Sequence, residues 1–123
     1  MVIDTSIFIE HLRAKDKTKT TLSNLPEGYM PYVSAVTSYE LYMGATNATK
    51  WQDVDNLINP LPLLIFDATV AVEAARIYQY LVKANLVIDH RDIFIAATAL
   101  VHNLPIKTLN IKHFNRISGL VLL

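Results

Sequence analysis

Apolar positions change their period several times along the chain, and each change predicts an element. Val2 and Ile3 form a short apolar run that ends at Asp4, as a buried strand would. Ile7, Phe8, Ile9 and Leu12 then suit a helix, with Thr5 and Ser6 as its candidate N-caps. Lys15 to Lys19 reads as a charged, solvated connector or helix start. Pro26, Gly28 and Pro31 punctuate a loop before a β-leaning run, Tyr32 to Val36. Thr37 opens a helix to about Asn47, and a second helix over about 49–58 closes at Pro60. Leu63 to Phe66 reads as a fully buried strand. Asp67 then caps a long amphipathic helix whose apolar positions are Val70, Ala74, Ile77 and Leu81. Asp89 opens a further helix to about His102, and its run from Ile93 to Leu100 is apolar nearly all round, which predicts burial on most faces. Pro105 begins a short strand, Ile106 to Thr108, followed by a helical piece over Lys112–Arg116 and a last strand over Leu120–Leu123. Strands separated by helices predict an α/β protein whose mostly parallel central sheet is covered on both faces.

Composition narrows this picture. The 123 residues suit one domain, 1–123, and the 52% apolar and 18% charged fractions exclude intrinsic disorder. With no cysteine there is no disulfide framework, thiolate metal site or cysteine nucleophile. No apolar stretch is long enough to span a bilayer, and the opening Met1-Val2-Ile3-Asp4 has no signal pattern, so a cytoplasmic protein is expected with no membrane partner. The 11 basic and 11 acidic residues cancel, but unevenly. Residues 26–92 carry a net −4, whereas 93–123 carry three bases, Lys107, Lys112 and Arg116, and no acid. A polyanion would meet local basic patches beside an acidic middle.

The acids fall where strands end, which is where ligands gather in open parallel sheets. Asp4 ends the first strand, and Thr108 and Asn110 lie just past the Ile106 strand. Glu40 is expected in the first turn of the helix after the Val33 strand, and Asp92 in the first turn of the buried helix. Carboxylates ~5 Å apart at an effective dielectric of ~20 repel by about 3 kcal/mol per pair, so a cluster of three calls for a raised pKa or a bound cation. Oxygen donors without cysteine or a histidine pair suit Mg²⁺ or Mn²⁺ rather than structural zinc. Such an ion activates water for phosphodiester hydrolysis. Each residue also has a plainer reading. Asp4 competes with Thr5 and Ser6 to cap the first helix; Thr37-Ser38-Tyr39-Glu40 has the form of a capping box. Asp89 is spaced as an N-cap for Asp92's helix, and Asn110 as an Asx-turn residue. His11, His90, His102 and His113 are scattered and show no metal-ligand spacing, while Lys112, His113 and Arg116 form a basic cluster that suits either phosphate or solvent.

Four blocks together carry a family resemblance: Val2-Ile3-Asp4-Thr5-Ser6, Ser34 to Leu41, Asp92 to Leu100, and Thr108 to Phe114. In their order and spacing they resemble the PIN-domain nucleases, specifically the VapC-type toxins of toxin–antitoxin modules. The resemblance runs over essentially the whole chain. It implies a three-layer α/β/α PIN-like domain and an Mg²⁺-dependent endoribonuclease, with Asp4, Glu40 and Asp92 as the acidic metal-binding set and Mn²⁺ as a possible substitute. It matches Asn110 with a position where many members carry a fourth acid, and Thr5 and Thr108 with hydroxyl positions that steady the first acid or the water network. Asp89 lies near the motif as an accessory ligand, and Lys112 and Arg116 are candidates to hold the RNA backbone. A homodimer and a cognate antitoxin, whose C-terminal segment lies in the active-site groove, are implied as partners. Two other readings stay open: a catalytically silent PIN-like module that binds RNA or protein, and a DNA- or structure-specific nuclease of the same fold. A haloacid-dehalogenase-like phosphatase fits poorly, because that family's second aspartate would fall on Ser6.

Overall fold

A computed structural model describes all residues, 1–123. Its centre is a set of very short parallel strands. β1 (Val2–Ile3) pairs with β4 (Ile106–Lys107), and β2 (Val33–Ser34) pairs with β3 (Leu63–Leu64), both in parallel. A bridge between Val2 and Tyr32 joins the two pairs, and another between Ile106 and Leu122 extends the far side, giving the order β3-β2-β1-β4-Leu122. The chain thus starts in the middle, moves outward through β2 and β3, and returns to the other flank of β1 at β4. The connections reverse direction at β1, and Asp4 is the residue at its carboxyl end. In an open parallel sheet that is the place where a crevice forms.

Two-residue strands cannot hold a sheet by themselves, so helices on both faces do most of the holding. Alternation along β1 sorts its side chains. Met1 and Ile3 join Ile7, Phe8, Val33, Leu41, Val54 and Ile58 in one buried cluster, built with α1 (Thr5–Arg13), α2 (Ala35–Gly44) and α3 (Ala48–Ile58). Val2 faces the other way, into a larger cluster with α4 (Ala68–Lys83), α5 (His90–Val101) and α6 (Ile111–Phe114). The expected α/β/α layering is therefore present. α4 buries Val70, Ala74, Ile77 and Leu81, as its periodicity predicts, and Asp67 caps it by accepting the Val70 N–H at 3.0 Å. α5 buries Ile93 and then every residue from Ile95 to Ala99, so nearly all its faces are covered. No helix is long and apolar enough to cross a membrane.

Several expectations need correction. The run Tyr32–Val36 is strand only at Val33–Ser34, because helix α2 already starts at Ala35 with Ser34 as its cap. Leu63–Phe66 is not a buried strand: β3 covers only Leu63–Leu64 at the sheet edge, and Leu63, Ile65 and Phe66 are exposed. An apolar run looks the same at an edge as at the centre, and here no element covers the outer side. Leu120–Leu123 reduces to one bridge at Leu122. Thr5 and Ser6 lie inside the first turn of α1, and Asp4 holds the N-cap position without making a capping bond.

Leu81 is fully buried at the contact between α4 and the larger cluster, whereas Tyr80 beside it is 53% exposed. Leu81→Ala is expected to cost about 2–5 kcal/mol. Tyr80→Ala is expected to stay within about 0.5 kcal/mol of the parent. Urea-unfolding midpoints of the two variants check the assignment of the core.

Candidate active site

Asp4 is 2% exposed and sits where β1 ends, yet its carboxylate does not cap α1. Instead Oδ2 accepts the Ser6 hydroxyl at 2.7 Å and the Thr108 hydroxyl at 2.8 Å. Both donors are themselves anchored. Ser6 Oγ accepts the Leu109 N–H at 3.1 Å, and Thr108 Oγ1 accepts the Asn110 N–H at 2.9 Å. The loop after β4 is therefore folded onto the start of α1 around one carboxylate oxygen. The other oxygen, Oδ1, accepts no protein hydrogen bond and is not sealed from solvent. Asp4 thus presents one held oxygen and one open one.

Glu40 arrives by a different route from the one its spacing suggests. Ser34, not Thr37, caps α2, accepting the Thr37 N–H at 3.1 Å, so Glu40 lies in the second turn and forms no capping box. It is held by a line of hydroxyls across the fold. Ser34 donates to Thr37 at 3.2 Å, and Thr37 meets Thr5 at 3.0 Å. Thr5 donates to Glu40 Oε1 at 3.0 Å. Since each hydroxyl has one proton, this order leaves every one of them satisfied. Glu40 Oε2 faces the guanidinium of Arg91, 3.5 Å away. Burial raises the Glu40 carboxyl above its usual range; Thr5 and Arg91 oppose the rise, and the Asp4 and Asp92 carboxylates add to it.

Asp92 comes from the first turn of α5, as expected, and its Oδ2 lies 3.4 Å from Nδ1 of His113 on α6. Its carboxyl is also raised, by burial first and then by Asp4, with His113 opposing. Asp89 does cap α5, accepting the Arg91 N–H at 2.8 Å, and its Oδ1 and Oδ2 also take the Arg91 side chain at 3.1 and 3.2 Å. Those bonds lower the Asp89 carboxyl.

Asp4, Glu40 and Asp92 are thus brought to one edge, where the Asp4 carboxylate adds to the rise that burial causes in the other two. The side chains expected to assist divide. Thr5 and Thr108 hold acids directly. Asn110 stands at the N-cap position of α6 but makes no side-chain bond there, and the turn expected of it is closed by Thr108 instead. Lys112 makes no contact with the acids, and Arg116 reaches the Leu86 carbonyl at 3.4 Å. Spacing alone gave no reason to choose Ser6, Ser34, Thr37, Arg91 or His113. Arg91 did carry a signal, as the one base between two acids in Asp89-His90-Arg91-Asp92.

No three acidic or histidine side chains stand close enough to form a ready-made cation cage. The donor set nevertheless fits a hard divalent cation. Mg²⁺ keeps several waters and commonly uses one or two carboxylates rather than an all-protein cage. The open Asp4 oxygen and two carboxylates with raised pKa values are the donors such an ion would meet.

A parallel α/β fold with carboxylates gathered at its switch point defines a class of acid-cluster proteins. Within that class the chain belongs to the PIN-domain family, whose model it matches over residues 1–120. It is 35% identical to ribonuclease VapC of Rickettsia bellii over 133 aligned residues, covering all of this chain and 94% of that protein. It is 28% identical to the tRNA(fMet)-specific endonuclease VapC of Shigella flexneri over 123 residues, covering 97% and 92% of the two chains. Among solved structures, DNA-bound VapBC of Salmonella typhimurium superposes with a TM-score of 0.84 at 24% identity, over 99% of this chain and 95% of that one.

The raised Asp92 carboxyl has a consequence for stability. It binds protons more readily folded than unfolded, so its ionisation weakens the fold as pH rises through its titration range. Asp92→Asn removes that cost. In EDTA the variant is expected to gain about 1 kcal/mol near neutral pH. The gain should shrink as pH falls and vanish below about 3, where the carboxyl is protonated in the folded and unfolded chain alike. Thermal unfolding of parent and variant across that range measures it; a loss of stability at neutral pH would mean that the His113 contact outweighs the repulsion.

Proposed function

We propose that this chain is a metal-dependent endoribonuclease and the toxin of a type II toxin–antitoxin pair. One observation carries the reading: a buried aspartate at the switch point, pinned through one oxygen and open at the other, with two further carboxylates beside it. The names of its relatives support ribonuclease rather than another activity. Asp4 and Asp92 would hold the Mg²⁺ or Mn²⁺ ion, with Glu40 directly or through water. When bound, such an ion acidifies a water and neutralises charge on the phosphate under attack.

The chain's own residues do the positioning. Ser6 and Thr108 fix the orientation of Asp4, and the line Ser34-Thr37-Thr5 fixes that of Glu40. Exposed Lys112 and half-buried Arg116, on the stretch after β4, would meet the RNA backbone. Asp89 is spent on the α5 cap and Arg91, which leaves it a supporting role rather than that of an accessory ligand.

Partners follow the same reading. A groove of about 370 Å³ runs from Glu40 between α1, α2 and α3, lined by Ile9, Leu12, Val54 and the charged Arg13 and Lys50. Its mixed lining suits a segment of a cognate antitoxin, and VapBC complexes among the similar structures support such a partner. Exposed Leu63, Ile65 and Phe66 at the sheet edge support a homodimer, since an uncovered apolar edge favours association.

The test is cleavage of total cellular RNA, and in parallel of single- and double-stranded DNA, by the purified chain with Mg²⁺, Mn²⁺ or EDTA. RNA is expected to be cut only with metal, and Asp4→Asn should lose at least about 100-fold in rate. Thr108→Val, which removes a hydroxyl from Asp4 without touching substrate, should lose about 10- to 100-fold. Metal binding without cutting would identify a silent binding module, and cutting of DNA alone would identify a nuclease of the other kind.

A further inference from the structure

Arg91 occupies an unusual place for a cation. It lies in the first turn of α5, one residue before Asp92, so its backbone cannot leave the acid cluster. Asp89 takes its Nε and Nη2 at 3.1 and 3.2 Å, and Asp89 is itself fixed by the helix cap. That grip leaves Nη1 directed across to α2, where it meets Glu40 Oε2 at 3.5 Å. Thr5 holds the other Glu40 oxygen. The oxygen that Glu40 could offer a cation is therefore the one that faces an arginine of the same chain.

The two halves of this arrangement differ in strength. The contact with Asp89 is a two-nitrogen fork reinforced by the backbone, whereas the contact with Glu40 is single and long. Such a pair is weak in water and yields to a stronger competitor. A hydrated divalent ion beside Asp4 and Asp92 is one, since it brings twice the charge to the same carboxylate. When it wins, the Asp89 fork keeps the guanidinium at the rim rather than releasing it to solvent.

We propose that Arg91 is a built-in counter-ion that competes with the divalent cation for Glu40 and so lowers the cation affinity of the free chain. Arg91 acts on the site through Glu40 and is a positioning residue. The inference rests on the metal-dependent reading above and adds to it a control that the chain exerts on itself.

The test is Mn²⁺ binding by calorimetry to the purified chain, which needs no RNA and no activity. Arg91→Gln is expected to bind Mn²⁺ about 10-fold more tightly, the scale set by removing one positive charge a few ångströms from a doubly charged ion in a solvated cleft. Arg91→Lys keeps the charge but loses the fork, so it should release Glu40 and tighten binding about 3-fold. Since Arg91 is half exposed, both variants are expected to fold, which thermal unfolding in EDTA checks. If parent, Arg91→Gln and Arg91→Lys all bind alike, the competition is overturned while the metal site stands. Tightening by Arg91→Gln with Arg91→Lys equal to the parent would show only a diffuse charge effect and would also overturn it. If Asp4→Asn binds as the parent does, or if no variant binds Mn²⁺, the metal-dependent reading itself fails and the proposal falls with it.

Discussion

The structure depends on holding one carboxylate at the end of the central strand. Asp4 and Thr108 are 104 residues apart in sequence, and the β1–β4 pairing places them 2.8 Å apart in space. Burying an aspartate is costly unless its oxygens are satisfied. Here the cost is offset by two hydroxyls, each anchored by a backbone N–H from the loop after β4. That loop, the start of α1 and the sheet's switch point are consequently locked together. The two strands of the pair have only two residues each, so the polar network around Asp4 adds order where the ladder is short.

A second consequence is electrostatic. Glu40 and Asp92 reach the same edge from opposite faces of the sheet, on α2 and α5, where burial first and then repulsion from Asp4 raise both carboxyls. Arg91 and His113 stand beside them at long range, 3.5 and 3.4 Å, and neither contact returns the carboxyls to their ordinary values. A fold that accepts this repulsion has acid groups poised for a cation or for proton traffic. The match to the PIN family and the resemblance to VapC ribonucleases fit that arrangement.

Much of this was legible in the sequence, and what was not has physical reasons. Short-range signals read well. Asp67 and Asp89 cap helices as their spacing predicts, and the stripe Val70-Ala74-Ile77-Leu81 is buried. Asp4 and Asp92 were found because an acid directly after an apolar strand, or at the start of an apolar helix, stands out locally. The start of α2 was misread because Ser34-x-x-Thr37 and Thr37-x-x-Glu40 both have the form of an N-terminal cap, and local pattern cannot choose between consecutive phases. The exposure of Leu63 and Ile65 was invisible because hydrophobicity does not tell an edge strand from a central one. The contacts of Ser6 with Leu109, of His113 with Asp92 and of Arg91 with Glu40 each join separate elements, and no spacing rule encodes them.

The central claim is that Asp4, with its one open oxygen, is the anchor of a divalent-cation site shared with Asp92 and Glu40. The most direct measurement is anomalous diffraction from crystals of the chain soaked in Mn²⁺. This account expects an anomalous peak within coordination distance of Asp4 Oδ1, with Asp92 on the same ion and Glu40 bound directly or through a water. A peak elsewhere on the surface, or none at saturating Mn²⁺ with the Asp4 network intact, would contradict it.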